Sequence, residues 1–353
     1  MKIGILTHPL AANYGGVLQC YALNTYLRKL GYDTIVIDRK SNKSFFIKRI
    51  IRNILKALHH PRYYHPNQVD RTVNIRPFIE KNITTTSPIN TSKEINKICN
   101  KYDLKAVIVG SDQVWRYSYA MKFGYNYFLD FVPDNVIKIS YAASFGLNKW
   151  YYTAEQTEKI KNLLSKFKAL SIREDEGIDL LKQNTGLQAV HLIDPTLLLD
   201  IEDYDKITSN RLINEKYIFV YWLGDKSDII NSINRYENKG YKIVSIYLRD
   251  NRPQESIGDW LSLIKNADLV ITDSFHGCVF SIIFNVPFIN YSNDSGGNGR
   301  IRSLFKQLGI ENKLINPEAA LDYTVVNTII KSEQQKSNEY LTKNLFYDSC
   351  LCN

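Results

Sequence analysis

The 353-residue chain reads as an α/β protein built on parallel sheets, and three observations carry that reading. Short apolar, β-branched runs alternate with stretches of helical period. Several of those runs end in a compact polar cluster. Residues 267–290, ADLVITDSFHGCVFSIIFNVPFIN, spell strand, loop, helix and strand, a βαβ crossover of the kind that builds parallel sheets. The length exceeds what one core usually holds and implies two domains of about 150 to 200 residues each. We place the division near 200, with units 1–200 and 201–330 and a tail 331–353.

In chain order, Lys2 to Thr7 alternates as a first strand, followed by a loop His8 to Gly16 and a helix from about Val17 to Leu30 that Gly31 ends. Thr34 to Ile37 is the second strand. The loop Asn13-Tyr14-Gly15-Gly16 matches no GxGxxG or P-loop; its paired glycines suit either close backbone approach to a ligand or a plain tight turn. Lys43 to Arg62 carries six basic residues and no acid around apolar residues at helical spacing. This predicts a basic amphipathic helix, for an anionic membrane surface or for packing on its own domain with a solvated basic face. Lys105 to Val109 is a buried strand ending in Gly110-Ser111-Asp112-Gln113-Val114-Trp115, where Asp112 could orient or deprotonate a hydroxyl, or cap a helix.

Ile137 to Ala142 adds a strand before the small turn Ala143-Ser144-Phe145-Gly146, Thr153 to Phe167 a helix, and Lys168 to Ile172 a strand ending in Arg173-Glu174-Asp175. Arg173 reads as an anion clamp and Glu174 as an acid or base, or the two as a helix-start charge pair. The pattern breaks at Asp194-Pro195-Thr196. In the second unit, strands are expected at Tyr217 to Trp222, Lys242 to Tyr247, Leu269 to Thr272 and Phe288 to Tyr291. Asp273 to Gly277 is a loop before a helix Val279 to Phe284, and there Ser274, His276 and the Gly277 amide can face one anion. A Gly, Asn and Ser loop over Ser292 to Gly299 leads to Arg300 and Arg302 ahead of a helix Ser303 to Leu308, an arrangement suited to closure over a phosphorylated ligand.

Composition narrows the function classes. Hydrophobic residues at 44% and charged residues at 23% are those of an ordinary soluble globular protein. A net charge of +9 argues for an anionic partner. Despite 24 tyrosines, no interleaved basic and aromatic array points to nucleic acid. No stretch of about 18 apolar residues predicts a membrane span, and MKIGILTHPL reads as a strand rather than a signal peptide. Five scattered cysteines imply a reducing cytoplasm and no structural metal. Cys350 and Cys352 suit metal binding, reactivity or simply a solvated tail.

Asn13-Tyr14-Gly15 with Gln19, Gly110 to Trp115, Ser140 to Gly146, Ser171-Ile172-Arg173-Glu174, Asp194-Pro195-Thr196 and Asp273-Ser274-Phe275-His276-Gly277, in this order, resemble the polysaccharide pyruvyl transferase family over roughly Met1 to Leu308. The resemblance implies two Rossmann-like domains facing across a cleft, similar to GT-B glycosyltransferases. It also implies transfer of the pyruvyl group of phosphoenolpyruvate to a sugar as a cyclic ketal, without redox cofactor or metal. The implied acceptor is a sugar of a surface polysaccharide intermediate, linked to a polyprenyl lipid or to a nucleotide. Arg173 and His276 match family positions associated with phosphoenolpyruvate recognition. On this basis His276, Arg173 and Asp112 are expected to be catalytic, and Asn13, Gly15, Gly16, Ser144, Glu174, Ser274, Gly277 and Arg300 to bind substrate. Many family members place an arginine two residues before the histidine, where this chain has Ser274; Arg300 is the expected substitute, with Arg302 and Arg249 behind it. A GT-B glycosyltransferase using a nucleotide sugar is the competing reading, and a non-catalytic carbohydrate- or lipid-binding scaffold the third.

Overall fold

A computed structural model describes residues 1–40, 54, 58, 69–248, 250–291 and 298–346. In the N-terminal unit, β1 (Lys2–Leu6), α1 (Tyr14–Lys29), β2 (Asp33–Val36), β3 (Ala106–Val109) and β4 (Ile137–Ser140) form a parallel sheet of order β2-β1-β3-β4. Among the described residues, the short helices Arg76–Asn82, Ser92–Ile95 and Ile98–Tyr102 lie between β2 and β3. After α2 (Ala154–Leu164), β5 (Ser171–Ile172) continues the sheet through the parallel bridges Ile139 to Ala169 and Ala143 to Ile172. α3 (Asp175–Thr185) then crosses to β6 (Val190–His191), which pairs with β5.

The C-terminal unit repeats the scheme with β7 (Tyr217–Trp222), α4 (Ile230–Glu237), β8 (Lys242–Tyr247), α5 (Ile257–Lys265), β9 (Leu269–Thr272), α6 (Phe275–Ile283) and β10 (Phe288–Asn290). Its order, β8-β7-β9-β10 and all parallel, is the same winding as β2-β1-β3-β4. In both sheets the chain therefore reverses its direction of travel beside the first strand. The carboxyl ends of β1 and β3, and of β7 and β9, are the crevices where such sheets hold ligands.

Residue chemistry explains the elements. β7 is buried throughout, as a strand covered by helices on both faces must be. α6 is buried along its whole length, so its apolar run carries no exposed face. The two units share one hydrophobic cluster that includes Leu18, Tyr14, Trp260 and Phe280. Tyr14, at the start of α1, stacks on Trp260 of α5 at 4.9 Å, and its hydroxyl donates to the Glu255 carbonyl at 3.0 Å. Of the two longer helices that follow, with the short helix Asn312–Ile315 between them, α7 (Asn298–Gln307) joins the units through Asp175 N–H to Ser303 Oγ at 2.9 Å and Lys306 to Asp175 at 3.0 Å. α8 (Tyr323–Leu345) begins ahead of the expected start of the tail. It returns to the first sheet, its Tyr340 hydroxyl donating to the Ser140 carbonyl at 2.8 Å.

Three helix starts differ from expectation, the first two because of a cap. α1 begins at Tyr14, since Asn13 Oδ1 accepts the Gly16 N–H at 3.0 Å. α6 begins at Phe275, capped by Ser274, so His276 occupies its first turn rather than a loop. α7 begins at Asn298, so Arg300 and Arg302 are helical residues rather than loop residues. The basic helix expected over 43–62, apart from Ile54 and Leu58, lies outside the described residues, as do most of the Gly, Asn and Ser loop, Arg249, Cys350 and Cys352. No helix among the described residues is long and apolar enough to cross a membrane.

Candidate active site

The two crevices face each other and enclose a cavity of about 220 Å³, lined by Ala12, Asn13 and Gly15 after β1, Asp112 and Gln113 after β3, Tyr221 and Leu223 at the end of β7, Leu248, Asp273 to His276 after β9, and Arg300 and Ile301 of α7. Five strand ends, of β1, β3, β7, β8 and β9, and the first turns of α1, α6 and α7 thus converge on one space. A helix start leaves N–H groups without intrahelical partners and favours an anion. Within α6, however, the Gly277 N–H is taken by Ser274 Oγ at 3.3 Å. The expectation that the Gly277 amide serves an anion is therefore corrected: Ser274 Oγ accepts its N–H, and the first-turn N–H groups of Phe275 and His276 are the ones without a hydrogen-bond partner among the described residues.

The approach of α1 to α6 depends on Gly15. A Cβ built there would overlap the His276 imidazole, nearest to Nδ1, so the glycine is required by contact rather than by backbone freedom. His276 is almost buried, and its Nε2 has no hydrogen-bond partner among the described residues. Asp194 Oδ2 lies 3.7 Å from that nitrogen, too far for a hydrogen bond; its influence there is Coulombic.

Behind His276 lies a buried charged layer. Arg173 Nη1 donates to Asp194 Oδ2 at 2.7 Å, with the two side chains 2% and 0% exposed. Ser111 Oγ donates to the same oxygen at 3.1 Å, while Asp194 Oδ1 accepts from Thr196 N and Oγ1 at 3.0 and 2.7 Å. Burial alone would raise the Asp194 carboxyl, but His276, Arg173 and the Thr196 N–H outweigh it and hold it far below the usual range. Arg173 likewise stays protonated: burial opposes its charge, and Asp194, Asp112 and Glu174 overcome that opposition. Arg173 does not line the cavity. The sequence reads it as an anion clamp; in the structure its Nη1 is engaged by Asp194 and its Nη2 approaches Asp112 at 3.8 Å, while Nε and Nη2 make no hydrogen bond among the described residues.

Arg300 is the opposite case. It lines the cavity, its Nε is buried without a partner, and no ion pair engages it among the described residues. Burial, then the like charge of Arg173, lowers its pKa to about 10, which still leaves it protonated at neutral pH. Arg302, held in reserve for the same task, instead pairs with Glu176 of α3.

Asp112 lines the cavity in a left-handed conformation, φ 73°, which a non-glycine residue adopts only when its surroundings impose it. Its Oδ1 accepts the Gln113 N–H at 2.9 Å, and its carbonyl accepts the Ser144 N–H at 3.0 Å. No helix starts there, so the capping alternative is set aside. Burial opposes its ionisation, yet His8, Arg173, His276 and Arg300 together lower its pKa.

Other expected site residues serve as scaffolding. Glu174 Oε1 accepts from Ser144 Oγ, Phe145 N and Gly146 N at 3.0, 2.7 and 3.2 Å. Ser144 and Glu174 are buried behind the cavity and shape the turn after β4; neither lines the cavity. Gln19 ties the loops after β1 and β3, donating to Thr7 Oγ1 and the Gly16 carbonyl at 3.0 and 2.9 Å, while Thr7 Oγ1 donates to the Ser111 carbonyl at 3.1 Å. Gly16 lines a neighbouring cavity that shares Asn13, Asp112 and Gln113 with the first. His8, in that second cavity, is the residue the sequence reading missed, although it follows β1 at the same sheet edge that singled out Asp112 and His276.

Two facing parallel α/β units with a ligand cleft at both switch points define a GT-B-type protein. Among solved structures, a putative UDP-N-acetylglucosamine 2-epimerase from Listeria monocytogenes superposes with a TM-score of 0.52 at 10% identity, over 99% of this chain and 98% of that one. The S. aureus MnaA-UDP co-structure superposes with a TM-score of 0.50 at 12% identity, over 99% and 98%. No curated protein matches the sequence. The family profile described as polysaccharide pyruvyl transferase matches residues 13–295. The chain belongs to that family.

Proposed function

We propose that the protein transfers the pyruvyl group of phosphoenolpyruvate to two hydroxyls of a sugar as a cyclic ketal, during assembly of a surface polysaccharide. The observation that carries this reading is Arg300: a partly buried guanidinium facing the cleft that forms no ion pair among the described residues, with Asp112 and Glu174 acting on it only at a distance. Phosphoenolpyruvate is a small polyanion. It would supply the missing negative charge, and the first-turn N–H groups of α6 would share it.

Protonation of the methylene carbon makes the adjacent carbon electrophilic. One sugar hydroxyl adds there, and a second displaces phosphate. His276, at the cleft surface, is assigned the proton delivered to carbon, Arg300 the donor's anionic groups, and Asp112 the orientation of the attacking hydroxyl. Arg173 acts from behind by holding Asp194 ionised beside His276. Donor chemistry then falls mainly to the unit 201–330 and acceptor binding to the unit 1–200.

The acceptor is assigned as a sugar on a polyprenyl diphosphate, handled by a cytoplasmic enzyme at the membrane face. Support comes from the basic stretch 43–62, in which Ile54 and Leu58, one helical turn apart, are both exposed. Flotation with liposomes containing or lacking anionic lipid tests that part, and no binding at low salt would refute it. Calorimetry of phosphoenolpyruvate and a set of nucleotide sugars against wild type and Arg300→Ala tests the donor. Phosphoenolpyruvate binding that the substitution weakens by at least about tenfold is expected. Turnover from a nucleotide sugar without phosphoenolpyruvate would replace the reading with glycosyl transfer.

A further inference from the structure

Beside the cleft is a second cavity of about 360 Å³, within the ~300–1,000 Å³ range of small-molecule sites. His8, Asn13, Gln113, Tyr119, Lys122 and Phe123 line it, and Asp112 stands in the wall common to both spaces. We infer that this cavity seats the hexose ring of the acceptor, with His8 as the base that takes the proton of the attacking hydroxyl. The inference rests on the pyruvyl-transfer reading above and extends it to the acceptor side.

Three features support it. Tyr119 and Phe123 offer ring surface against which the apolar face of a sugar can lie, while Asn13, Gln113 and Lys122 offer the polar groups that hydroxyls need. His8 is held in place: its ring meets Tyr119 and Tyr127 edge-on at 5.3 and 5.4 Å, and Nδ1 lies 3.3 Å from the Tyr127 hydroxyl. Its other nitrogen, Nε2, is buried without a hydrogen-bond partner among the described residues. A buried ring nitrogen without a partner is costly, and a substrate hydroxyl at that point would satisfy it.

The groups acting on His8 suit a base. Burial lowers its pKa, with Lys122 and Arg173 adding to the effect and Asp112 and the Gln113 carbonyl opposing it. The imidazole is therefore neutral at pH 7, and the Asp112 carboxylate can stabilise the imidazolium once a proton arrives. Asp112 itself, held below the usual carboxylate range, is a weak acceptor of that proton. In the step, the hydroxyl oxygen bonds to C2 of phosphoenolpyruvate, its proton passes to His8 Nε2, and C3 takes a proton from His276. The C2–O bond to phosphate then breaks with its electron pair as the second hydroxyl closes the ring, and that hydroxyl's proton leaves with phosphate or solvent.

The test uses saturation-transfer NMR with a panel of p-nitrophenyl hexosides (gluco, galacto, manno and N-acetyl forms, both anomers), phosphoenolpyruvate calorimetry and phosphate release. At least one hexoside is expected to saturate on the wild type through its ring protons. Phe123→Ala should abolish that signal while leaving phosphoenolpyruvate affinity within about twofold, and Arg300→Ala should do the reverse. His8→Asn should keep the hexoside signal and lose phosphate release by at least about 100-fold, and with it the acidic limb of the rate profile. Hexoside binding indifferent to Phe123→Ala, or no panel member bound or turned over by a wild type that binds phosphoenolpyruvate, overturns the subsite. Wild-type turnover by His8→Asn overturns the base. Failure of the wild type to bind phosphoenolpyruvate strikes the donor reading instead, and the hexoside signal still reports on the cavity.

Discussion

Arg173 and Arg300 flank the same aromatic ring, their guanidinium carbons 4.5 and 5.9 Å from the centre of Phe275, yet they occupy opposite electrostatic situations. Arg173 is enclosed and ion-paired: Asp194 takes one amino group directly and Asp112 stands near another, although its Nε and Nη2 make no hydrogen bond among the described residues. Arg300 opens on the cleft unmatched, with Arg173 itself pressing against its charge. A cation already neutralised by the protein can offer little to a ligand, because any anion must compete with a partner fixed in place. A cation left without a partner is destabilising until a ligand arrives, and that deficit favours binding.

The contrast can be broken from either side. Arg173→Ala leaves Asp194 buried without its main partner, and removing one member of a buried pair costs ~3–5 kcal/mol. The expected outcome is a large fall in the denaturant midpoint, measured without any ligand. A smaller loss in the double variant Arg173→Met/Asp194→Leu would show that the penalty is the orphaned charge.

Arg300→Ala should do the reverse: stability unchanged or slightly raised, and phosphoenolpyruvate affinity lowered by ~1.5–3 kcal/mol, the weight of a hydrogen bond to a charged group. Calorimetry and a melting curve on the same sample check both halves. Equal destabilisation by the two substitutions would erase the distinction between the arginines.

Gly15→Ala sharpens the geometric side, since the new methyl must displace His276. Overpacking of this kind costs ~1–3 kcal/mol, and turnover should fall further than donor affinity because the displaced group is the proposed acid. Steady-state kinetics beside calorimetry separates the two.

The smallest effect is a slope. Asp112 and Asp194 titrate lower in the folded protein than in the unfolded chain, and His8 also titrates lower when folded. In each case the unfolded chain binds protons first as pH drops. Stability from His8 should therefore begin to fall below about pH 7, and from the two carboxyls below about pH 5. Melting temperature against pH reads this, and His8→Asn should reduce the upper part of the slope, leaving the share of His191, which burial also lowers.

Much of this arrangement was legible in the residues. The strands at Tyr217 to Trp222, Lys242 to Tyr247 and Leu269 to Thr272 were expected at the bounds observed, because apolar β-branched and aromatic runs between polar breaks leave few alternatives. Helix starts were less legible. Asn13 and Ser274 look like loop by composition, and only their cap hydrogen bonds to Gly16 and Gly277 make them helix boundaries. Glu174 and Ser144 were expected at the ligand because charged and hydroxyl groups after a strand suit substrate, but nothing local says that one faces the other behind the cavity.

By itself the sequence determined the α/β class, the parallel crossovers and the set of polar clusters at strand ends, since these follow from local period, turn chemistry and the short range of backbone constraint. Only the tertiary structure decided which charges are spent and which remain open. Arg173 meets Asp194 across 21 residues, Ser111 meets the same carboxylate across 83, and Gly15 admits His276 from the other unit. Neutralisation and close approach depend on burial and on partners far away in the chain, and those exist only once both sheets have folded and faced each other.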